Sequence, residues 1–460
     1  MLQPKIRRLL GDIVGTDNLL WRRSELIPYK YDASLMTGEP DAVVFPSSTE
    51  EVSKIVYLCV DEKIHFAPRG SGTNLSGGSV LVQGGIIIEL SRMNRILEVN
   101  IPDEYAVVES GVFNLDLQEE LAKHGYEYAP DPASQKVATM GGTIAENSGG
   151  PHGVKCGVTT NHVLGMRVVL ANSDVIDCGG PTESAPSYDI RGVLIGSEGT
   201  LGIVTEVTVR IRRKPEAVKT MLVVYDTIES AGASVSAVVA AGIIPATLEM
   251  MDRPIIHCVE ESYQCGYPLD AEAVLIIELD GLRDDLDEQA RRVEEICREN
   301  GARDVRIAAD DAERDRLWAG RRGAFGAVAR ICLNYLVMDG TVPRTKLPEV
   351  LRKVGEVAEK YKLKAGNVFH AGDGNLHPLF FITEGTEDEL CRVHAAGAEI
   401  LKTCLAVGGT ISGEHGIGVE KIDAMRLQFS EEDLQMMRSV KKAFDPYLMC
   451  NPGKVLPEPR

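Results

Sequence analysis

The chain has 460 residues, of which 44% are hydrophobic and 25% are charged, as in a globular protein of two or three domains. Its formal net charge of −19 leaves no basic surplus to neutralise phosphates, which argues against a nucleic-acid partner. No apolar run approaches the roughly 18 residues of a membrane span, and the 10 cysteines form no CxxC pair that would hold an iron–sulfur cluster or a structural zinc.

The first 214 residues predict short strands and helices joined by glycine-rich turns. Apolar residues at helical spacing predict an amphipathic helix at the start of the chain, where no signal-peptide pattern is found. With no export signal and no paired cysteines, we expect reduced thiols and a cytoplasmic location. Further predicted elements are helices over 50–63 and 114–124, strands over 84–90, 105–110 and 202–211, and a hairpin of strands 163–171 and 174–177.

The pattern changes after Pro215, where longer helices begin to alternate with apolar strands. It predicts a second α+β unit, built on an antiparallel sheet with helices on one face. The predicted strands are KTMLVVY, PATLEMM, AVLIIEL and NYLVMDG, and the predicted helices cover 228–242, 285–300, 311–329 and 346–362. A glycine cluster, GGTISGEHGIG, and a helix over 431–444 follow. We therefore expect domains at 1–214 and 215–410 and a C-terminal segment at 411–460.

Three glycine clusters lie in the first half of the chain: PRGSGTNLSGGSV at 68–80, GGTIAENSGG at 141–150 and GSEGTLGIVTEVTV at 196–209. Glycine permits positive φ and close approach, so the successive N–H groups of such a run can wrap a pyrophosphate. The first cluster is neither a Rossmann fingerprint nor a P-loop. Taken alone it also suits a tight-turn loop, but three clusters in one domain favour a cradle for a long cofactor.

These clusters, with Pro-Asp-Pro at 130–132, closely resemble the FAD-binding domain of the vanillyl-alcohol oxidase/PCMH superfamily. The resemblance implies an α+β fold with a PCMH-type FAD-binding domain, followed here by an α+β cap domain with an antiparallel sheet. Members often attach FAD through a histidine in the first loop, but no histidine lies between His65 and His124, so we expect noncovalent FAD. The resemblance implies that the pyrophosphate is contacted by Arg69, Gly70, Ser71, Gly72, Thr73, Asn74, Gly77 and Gly78. It implies that the flavin and the ribityl chain are contacted by Pro130, Gly141, Gly142, Thr143, Asn147, Ser148 and Gly149. It implies contacts at the adenine end or the isoalloxazine edge from Glu198, Gly202, Ile203 and Val204.

Two histidines, His370 and His377, flank the Gly-Asp-Gly-Asn turn in the apolar stretch NVFHAGDGNLHPLFF. On one straight strand, their odd spacing would point them to opposite faces. A hairpin at the turn lets the imidazoles converge, with two buried structural histidines as the alternative. The segment SGEHGIG adds Glu414 and His415 in a second glycine-rich loop. Two imidazoles and a carboxylate are typical of a catalytic divalent metal that keeps open positions for substrate.

The C-terminal half resembles the FAD-linked oxidase C-terminal domain of the D-2-hydroxyacid dehydrogenases, which include glycolate oxidase and D-lactate dehydrogenase types. The segments that carry the resemblance are GRRGAFGA, YLVMDGTVPR, FHAGDGNLHP, SGEHGIGVEK and NPGKVLP. It implies one divalent metal (zinc, iron or manganese) held by His370, His377 and Glu414. It also implies His415 as the base that takes the substrate's hydroxyl proton.

Arg321 lies near the middle of the apolar face of the helix over 311–329. An arginine in that position is either paired with a protein acid or aimed at an anionic ligand, and the resemblance favours the substrate's carboxylate. The D-2-hydroxyglutarate dehydrogenases carry a lysine where this chain has Val337, so we expect a small monocarboxylate as substrate. The segment NPGK resembles the family segment that returns to the flavin, which implies a flavin contact from Asn451 or Lys454, with a chain-terminating turn as the alternative.

The expected function is FAD-dependent oxidation of D-lactate or glycolate to the 2-oxo acid. The chain has no cysteine cluster and no nicotinamide fingerprint to relay electrons, so we expect a hetero-oligomer with an electron-accepting protein, either an iron–sulfur subunit or an electron-transfer flavoprotein. That partner would also be the route to a peripheral position at a membrane. The alternatives are the lactate dehydrogenase subunit of an electron-confurcating complex, an alkyl-glycerone-phosphate-synthase-like transferase and a non-catalytic flavin-binding scaffold.

Overall fold

The computed structural model describes residues 2–182 and 187–459 of the chain. Its α-helices, numbered α1 to α15 in chain order, are Pro4–Val14, Arg23–Leu26, Thr49–Asp61, Asn114–Ala122, Met140–Glu146, Gly153–Cys156, Ile190–Leu194, Ile228–Ala240, Arg253–Tyr263, Arg283–Glu299, Asp311–Val328, Leu347–Tyr361, Glu387–Ala406, Ile422–Gln428 and Glu431–Phe444. Its strands, numbered β1 to β18 in chain order, are Leu19–Leu20, Ala42–Val44, Phe66–Arg69, Ile86–Glu89, Ile96–Asn100, Tyr105–Glu109, Tyr126–Glu127, Val163–Leu170, Val175–Gly179, Gly202–Arg210, Arg212–Arg213, Ala217–Tyr225, Thr247–Asp252, Ala273–Gly281, Ala302–Ile307, Asn334–Val337, Ala365–His370 and Pro378–Ile382.

The chain divides into two compact units. The first unit comprises Met1–Gly149, Val158–Lys214 and Glu414–Arg460, and the second comprises Gly150–Gly157 and Pro215–Gly413. The sequence pattern predicts residues 150–157 within the first domain, whereas here they belong to the second unit. Their helix α6 contacts β13, and Lys155 Nζ donates a hydrogen bond to the backbone oxygen of Asp280, at 3.0 Å. A segment this short has no periodicity that could reveal where it packs.

Two sheets form the framework of the first unit. One is four-stranded in the order β1-β2-β4-β3, with β4 parallel to both β2 and β3. The other is five-stranded, antiparallel and ordered β5-β6-β10-β8-β9, and it includes the hairpin predicted across Ser173, whose φ is +72°. Because β3 and β10 border the first and third glycine clusters, these sheets fix the positions of both loops.

Helix α1 confirms the amphipathic helix predicted at the start of the chain. Its buried residues Ile6, Leu10 and Val14 recur every four positions. They share an apolar core with residues of α3, among them Val52 and Ile55. Burying each such aliphatic side chain stabilises the fold by roughly 1.5–3 kcal/mol before the loss of conformational entropy.

The second unit is built on a seven-stranded antiparallel sheet in the order β15-β12-β14-β13-β17-β18-β16. Helices cover both of its faces, so the expectation of helices on one face is wrong. Leu222 and Val224 of β12 pack with Trp318 of α11, whereas the next residue, Tyr225, lies beside Cys297 of α10. Strand β14 is apolar at every position from Ala273 to Ile277 because both of its faces are buried.

The hairpin predicted for the two histidines is confirmed. Strands β17 and β18 pair antiparallel, with Asn367 opposite Pro378, and His370 and Asn375 form a bridge at the turn. Helices α9 and α13 were not predicted from the sequence. Among the described residues, no helix combines the length and the apolar character that crossing a membrane would require.

Candidate functional site

The first glycine cluster follows strand β3 in the first unit. Arg69 is buried, and its Nη2 donates a hydrogen bond to the backbone oxygen of Tyr31, at 2.9 Å. Gly72 has a φ of +69°, and a Cβ at this position would lie 2.1 Å from the same nitrogen. The loop is thus folded tightly over the Arg69 guanidinium, while Ser71 is exposed and Thr73 is half-buried.

Asn74 organises the rest of this loop. Its Oδ1 accepts hydrogen bonds from the backbone N–H groups of Ser76 and Gly78, at 2.9 and 2.6 Å. Its Nδ2 donates to the backbone oxygen of His415, at 3.3 Å. The residue predicted to contact the pyrophosphate therefore also links the loop to the predicted base, within the first unit.

The second glycine cluster packs directly against the first. A Cβ at Gly70 would lie 2.2 Å from Thr139 Oγ1, and a Cβ at Gly141 would lie 2.7 Å from Ser110 Cβ. Thr139 caps helix α5 by accepting a hydrogen bond from the N–H of Gly142, at 3.2 Å. Glycine is needed at these positions because only a bare backbone permits such close approach.

Other residues predicted to line the flavin lie along the same segment, and their polar groups bond within the protein. Thr143 Oγ1 donates to the backbone oxygen of Met140 at 2.9 Å, and Asn147 Oδ1 accepts from the N–H of Thr160 at 2.9 Å. The backbone oxygen of Ser148 accepts from Thr159 Oγ1, at 2.8 Å. The Pro130 oxygen accepts from Asn114 Nδ2, at 3.0 Å.

Unsatisfied polar atoms next to these loops fit a polar cofactor. Ser110 Oγ and Glu146 Oε2 are buried, and neither finds a hydrogen-bond partner among the described residues. Glu146 also borders Gly78, where a Cβ would lie 3.0 Å from its Oε1. Buried polar atoms are normally hydrogen-bonded, so this unmet capacity beside bare glycine backbones fits the hydroxyl-rich ribityl chain of FAD.

Several charged groups are buried together in this part of the first unit. Burial raises the pKa of Glu146 well above its usual range, and the nearby Glu198 raises it further. Burial also raises the pKa of Glu198, although the N–H groups of Ile417 and Gly418 oppose the shift. Burial lowers the pKa of Lys454 to about 8, against the pull of Glu198. Sequence reasoning missed Glu146 as a candidate, although it lies inside the cluster GGTIAENSGG.

Glu198, in the third glycine cluster, holds the loop that carries the predicted base. Its carboxylate accepts hydrogen bonds from Ile417 N at 2.7 Å and Gly418 N at 2.6 Å. The following predicted contacts, Gly202, Ile203 and Val204, form the start of β10 and pair with β8. Ile203 packs into the apolar core beside α3, so its side chain is used for packing.

Asn451 connects the C-terminal segment to two of the glycine loops. Its Nδ2 donates to the backbone oxygens of Gly78 and Glu198, at 2.9 and 2.8 Å, and its Oδ1 accepts from Lys454 Nζ. Asn451 has a φ of +46°, a conformation that asparagine tolerates better than most residues. The segment thus returns to the predicted cofactor loops.

His370 and His377 converge in the second unit. Their rings meet edge to face with centroids 5.2 Å apart, and each offers a ring nitrogen within 4.8 Å of one on the other. His370 Nδ1 lies 2.9 Å from Glu249 Oε1. Both histidines and Glu249 are buried. The pair is close enough to ligate one ion.

Arg321 forms the ion pair that the sequence left open as an alternative. Its Nε and Nη2 lie 2.7 and 2.6 Å from Glu249 Oε2, and its side chain is only 3% exposed. Burial alone would raise the pKa of Glu249, but His370 and Arg321 lower it. Sequence reasoning missed Glu249, although an acid inside the fully buried strand TLEMMD is a signal. A bond from Arg321 to substrate stays a prediction.

A second carboxylate, that of Asp339, lies beside His377. Asp339 Oδ1 is 3.5 Å from His377 Nε2. Its Oδ2 accepts hydrogen bonds from Ser412 Oγ at 2.5 Å and from Gly413 N at 3.1 Å. Asp339 therefore holds the end of the second unit immediately before Glu414 in the chain.

Glu414 and His415 lie in the first unit and are half-buried. Glu414 Oε2 accepts a hydrogen bond from the N–H of Gly149 at 3.2 Å, and its Oε1 is 3.9 Å from His415 Nε2. The backbone oxygen of His415 accepts from Ser76 Oγ, at 3.0 Å. The predicted base is therefore tied to the first glycine loop, and the predicted carboxylate ligand to the end of the second.

Comparisons with known proteins identify the family of the chain. Residues 214–455 match the family described as FAD linked oxidases, C-terminal domain, and residues 40–179 match an FAD binding domain. The chain is 42% identical over 440 residues to glycolate oxidase subunit GlcD of Escherichia coli (strain K12), a match that covers 95% of this chain and 88% of that one. It is 33% identical over 435 residues to a D-lactate dehydrogenase of Archaeoglobus fulgidus, with 93% and 95% covered.

The solved structure of p-cresol methylhydroxylase with substrate bound shares the fold. Its TM-score is 0.82 at 18% identity, and the match covers 98% of this chain and 96% of that one. The likeness confirms the α+β fold with a PCMH-type flavin domain, and the two domain matches confirm FAD as the cofactor. The chain belongs to the family of FAD-linked D-2-hydroxyacid dehydrogenases and is an FAD-dependent oxidoreductase with a flavin domain of the vanillyl-alcohol oxidase/PCMH type.

Proposed function

We propose that the chain oxidises a small D-2-hydroxy acid, D-lactate or glycolate, to the 2-oxo acid. Noncovalent FAD is the oxidant, and one divalent metal (zinc, iron or manganese) holds the substrate. The observation that carries the proposal is the buried pair of His370 and His377, backed by the carboxylate of Glu249. Relatives named as a glycolate oxidase subunit and a D-lactate dehydrogenase match over most of the chain, which supports the substrate class.

The FAD-binding residues of the proposal are those of the three glycine clusters and Asn451. The first two clusters are packed against each other, and their glycines carry no side chain that would keep a pyrophosphate away from the backbone. Ser110 and Glu146 offer polar atoms without partners among the described residues, which suits ribityl hydroxyls. When bound, FAD supplies the acceptor for the hydride that leaves C2 of the substrate.

The metal ligands of the proposal are His370, His377 and Glu414. Carboxylates behind ligating histidines orient the rings. In the second unit, Glu249 Oε1 lies 2.9 Å from His370 Nδ1, and Asp339 Oδ1 lies 3.5 Å from His377 Nε2. Glu414 directly follows Gly413, whose N–H donates to the backbone oxygen of Asp339 at 2.8 Å. When bound, the metal lowers the pKa of the substrate's hydroxyl and fixes its orientation.

His415 is the base of the proposal. An imidazole with an ordinary pKa of about 6.5 can accept a proton near neutral pH. Hydrogen bonds from Asn74 and Ser76 to its backbone oxygen hold its loop in place. His415 takes the hydroxyl proton while the hydride leaves C2, so that the alcohol loses two electrons and two hydrogens and becomes the 2-oxo group.

Arg321 and Val337 bear on the choice of substrate. Arg321 directs Nε and Nη2 to Glu249, so the substrate's carboxylate would be met by Nη1. Val337 is buried in the apolar core of the second unit, and this position offers no cation for a second carboxylate. Both features support a small monocarboxylate rather than 2-hydroxyglutarate.

The electrons leave the chain through a protein partner in this proposal, so the working assembly is a hetero-oligomer. The chain has no cysteine cluster that could relay electrons onward. The Escherichia coli relative is named as a subunit, which supports an assembly with other chains. An iron–sulfur subunit or an electron-transfer flavoprotein would accept the electrons.

Anaerobic stopped-flow spectroscopy of flavin bleaching tests the proposal on the FAD-loaded chain. The substrates are glycolate, D-lactate, L-lactate and D-2-hydroxyglutarate, each with and without a chelator. We expect fast bleaching by glycolate or D-lactate that is lost on chelation. His415→Gln should slow bleaching by about 10²- to 10⁴-fold. His394→Gln, on the exposed side of α13, is the matched control and should leave the rate unchanged.

Three results would contradict separate parts of the proposal. Equal rates of bleaching with and without chelator would show that the reaction needs no metal. Faster bleaching by L-lactate than by D-lactate would reverse the stereochemistry. An unchanged rate in His415→Gln would show that His415 is not the base.

A further inference from the structure

We propose that Glu249 is the positioning residue of the metal site and that Arg321 acts on the metal through it. The inference rests on the proposed function in one respect: it takes His370 as a metal ligand. It goes further by making the affinity for the metal depend on two residues that do not themselves bind the ion. Every residue it uses lies in the second unit.

The geometry places Glu249 directly behind His370. The two residues are cross-strand partners, Glu249 on β13 and His370 on β17. Both oxygens of Glu249 lie within hydrogen-bond distance of His370 Nδ1, at 2.9 and 3.1 Å. Glu249 is 1% exposed, so water does not compete for this contact.

This contact determines which ring nitrogen carries the proton. A carboxylate that accepts from Nδ1–H stabilises the tautomer in which Nε2 carries the lone pair, and a metal ligand needs that lone pair. It also fixes the rotation of the ring, so that Nε2 points in one direction. Glu249 therefore prepares His370 for an ion without touching the ion.

Arg321 stabilises the buried carboxylate of Glu249. An isolated buried carboxylate is costly unless it is paired and hydrogen-bonded. Arg321 approaches from α11 with two nitrogens on Glu249 Oε2, at 2.7 and 2.6 Å. His370 and Arg321 thus share one carboxylate, and a change at Arg321 should reach the metal through Glu249.

Glu278 provides a matched control in the same sheet. It lies on β14, beside β13, and is also 1% exposed. It accepts two hydrogen bonds from Arg314 of α11, at 2.8 and 2.9 Å, and one from Trp318 Nε1 at 2.8 Å. Within the described part of the chain, none of its hydrogen bonds comes from a proposed metal ligand. A loss of buried charge can therefore be separated from a loss of histidine orientation.

The experiment measures the affinity of the metal-stripped, FAD-loaded chain for Zn²⁺ and Mn²⁺ by competition with a chromophoric chelator. Glu249→Gln should weaken binding by about 10- to 100-fold, the usual effect of removing such a partner. Arg321→Met should weaken it in the same direction. The metal affinity of Glu278→Gln should stay within about twofold of that of the wild type, even if its melting temperature falls as far as that of Glu249→Gln.

Glu249→Asp is the second variant, in case Glu249→Gln does not fold. It keeps the charge that Arg321 needs but withdraws the carboxylate from His370 by one methylene, so the metal affinity should still fall. Wild-type affinity in Glu249→Asp or Glu249→Gln would overturn the inference, as would an equal loss of affinity in Glu278→Gln. If Arg321→Met binds the metal as tightly as the wild type but has a raised KM for the substrate, Arg321 acts on substrate alone. Its proposed link to the metal would then be wrong.

The same titration separates this inference from the proposed function. If the wild type binds neither ion, the metal part of the proposed function fails and the inference fails with it. If the wild type binds an ion that the chelator-sensitive flavin reduction requires, while the Glu249 variants bind it equally well, only the inference fails.

Discussion

Gly416, next to His415, tests whether the position of this loop governs catalysis. Its φ is +82°, and a Cβ there would lie 2.7 Å from Glu146 Oε2 and 2.7 Å from Glu198 Oε1. Glu198 cannot turn away freely, because it accepts hydrogen bonds from Ile417 N and Gly418 N. Gly416→Ala should therefore push the loop, and His415 with it, away from its present position.

Two costs add up in this variant. An alanine at left-handed φ costs about 1–2 kcal/mol, and overpacking against fixed neighbours costs about 1–3 kcal/mol more. The free energy of unfolding should thus fall by about 2–5 kcal/mol. Gly125 is the matched control in the same unit, because its φ is +75° and a Cβ there would meet nothing within 4 Å. Gly125→Ala should show only the first cost.

Urea unfolding and anaerobic flavin reduction are the two measurements. A displacement of about 1 Å at a reacting group can slow a reaction by about 100-fold, so Gly416→Ala should reduce the flavin about that much more slowly while Gly125→Ala keeps the wild-type rate. If both variants show the same stability and the same rate, the loop yields to the added methyl group. The reasoning that the two carboxylates fix the loop would then be refuted.

Three further predictions concern the polar groups of the fold. Burial alone would raise the pKa of Glu389, but hydrogen bonds from the backbone of the loop before α13 lower it to about 2. The contribution of the Glu389 carboxylate to stability is therefore complete above about pH 4.5 and is lost as the pH falls towards 2. In urea unfolding at pH 7, Glu389→Gln should be less stable than the wild type by about 1–3 kcal/mol. This difference in stability should disappear near pH 2. Burial raises the pKa of Asp252 to about 6, against hydrogen bonds from Asn367, so its ionisation costs stability as the pH rises. The free energy of unfolding of Asp252→Asn, relative to that of the wild type, should therefore rise by about 1–2 kcal/mol between pH 5 and pH 7.5. A difference that does not change with pH would contradict the raised pKa of Asp252. Asn451→Ala leaves two buried carbonyl oxygens without a donor, so it should destabilise by about 2–3 kcal/mol and release FAD more readily on gel filtration; full retention of FAD at wild-type stability would contradict it.

Local patterns in the sequence predicted much of the fold. The spacing of Ile6, Leu10 and Val14 is sufficient to predict α1, and the glycines after His370 are sufficient to predict the hairpin. Helix α13 was missed although it carries its own signals, a capping Thr386 followed by three acidic residues in the first turn. Elements with strong local periodicity or turn chemistry are therefore within reach of sequence reasoning.

The contacts behind the histidines could not be predicted in this way. Glu249 acquires its role because β13 pairs with β17 in a register that places it opposite His370, more than a hundred residues along the chain. Arg321 illustrates the same limit, because its position on an apolar helix face suits an ion pair and a ligand contact equally well. Side-chain partners across strands depend on register, which the sequence of one strand does not determine.

The division of the chain into units has a consequence for the order of events during synthesis. Gly413, the last residue of the second unit, leaves the ribosome before Glu414–Arg460, which the first unit needs for completion. That late segment includes Cys450, whose backbone forms a β-bridge with Phe66 of β3, and Asn451, which is hydrogen-bonded to two glycine loops. Domains usually mature in order from the N-terminus. Here the inserted unit can mature first, and the cofactor loops acquire these ties only after that unit has left the ribosome.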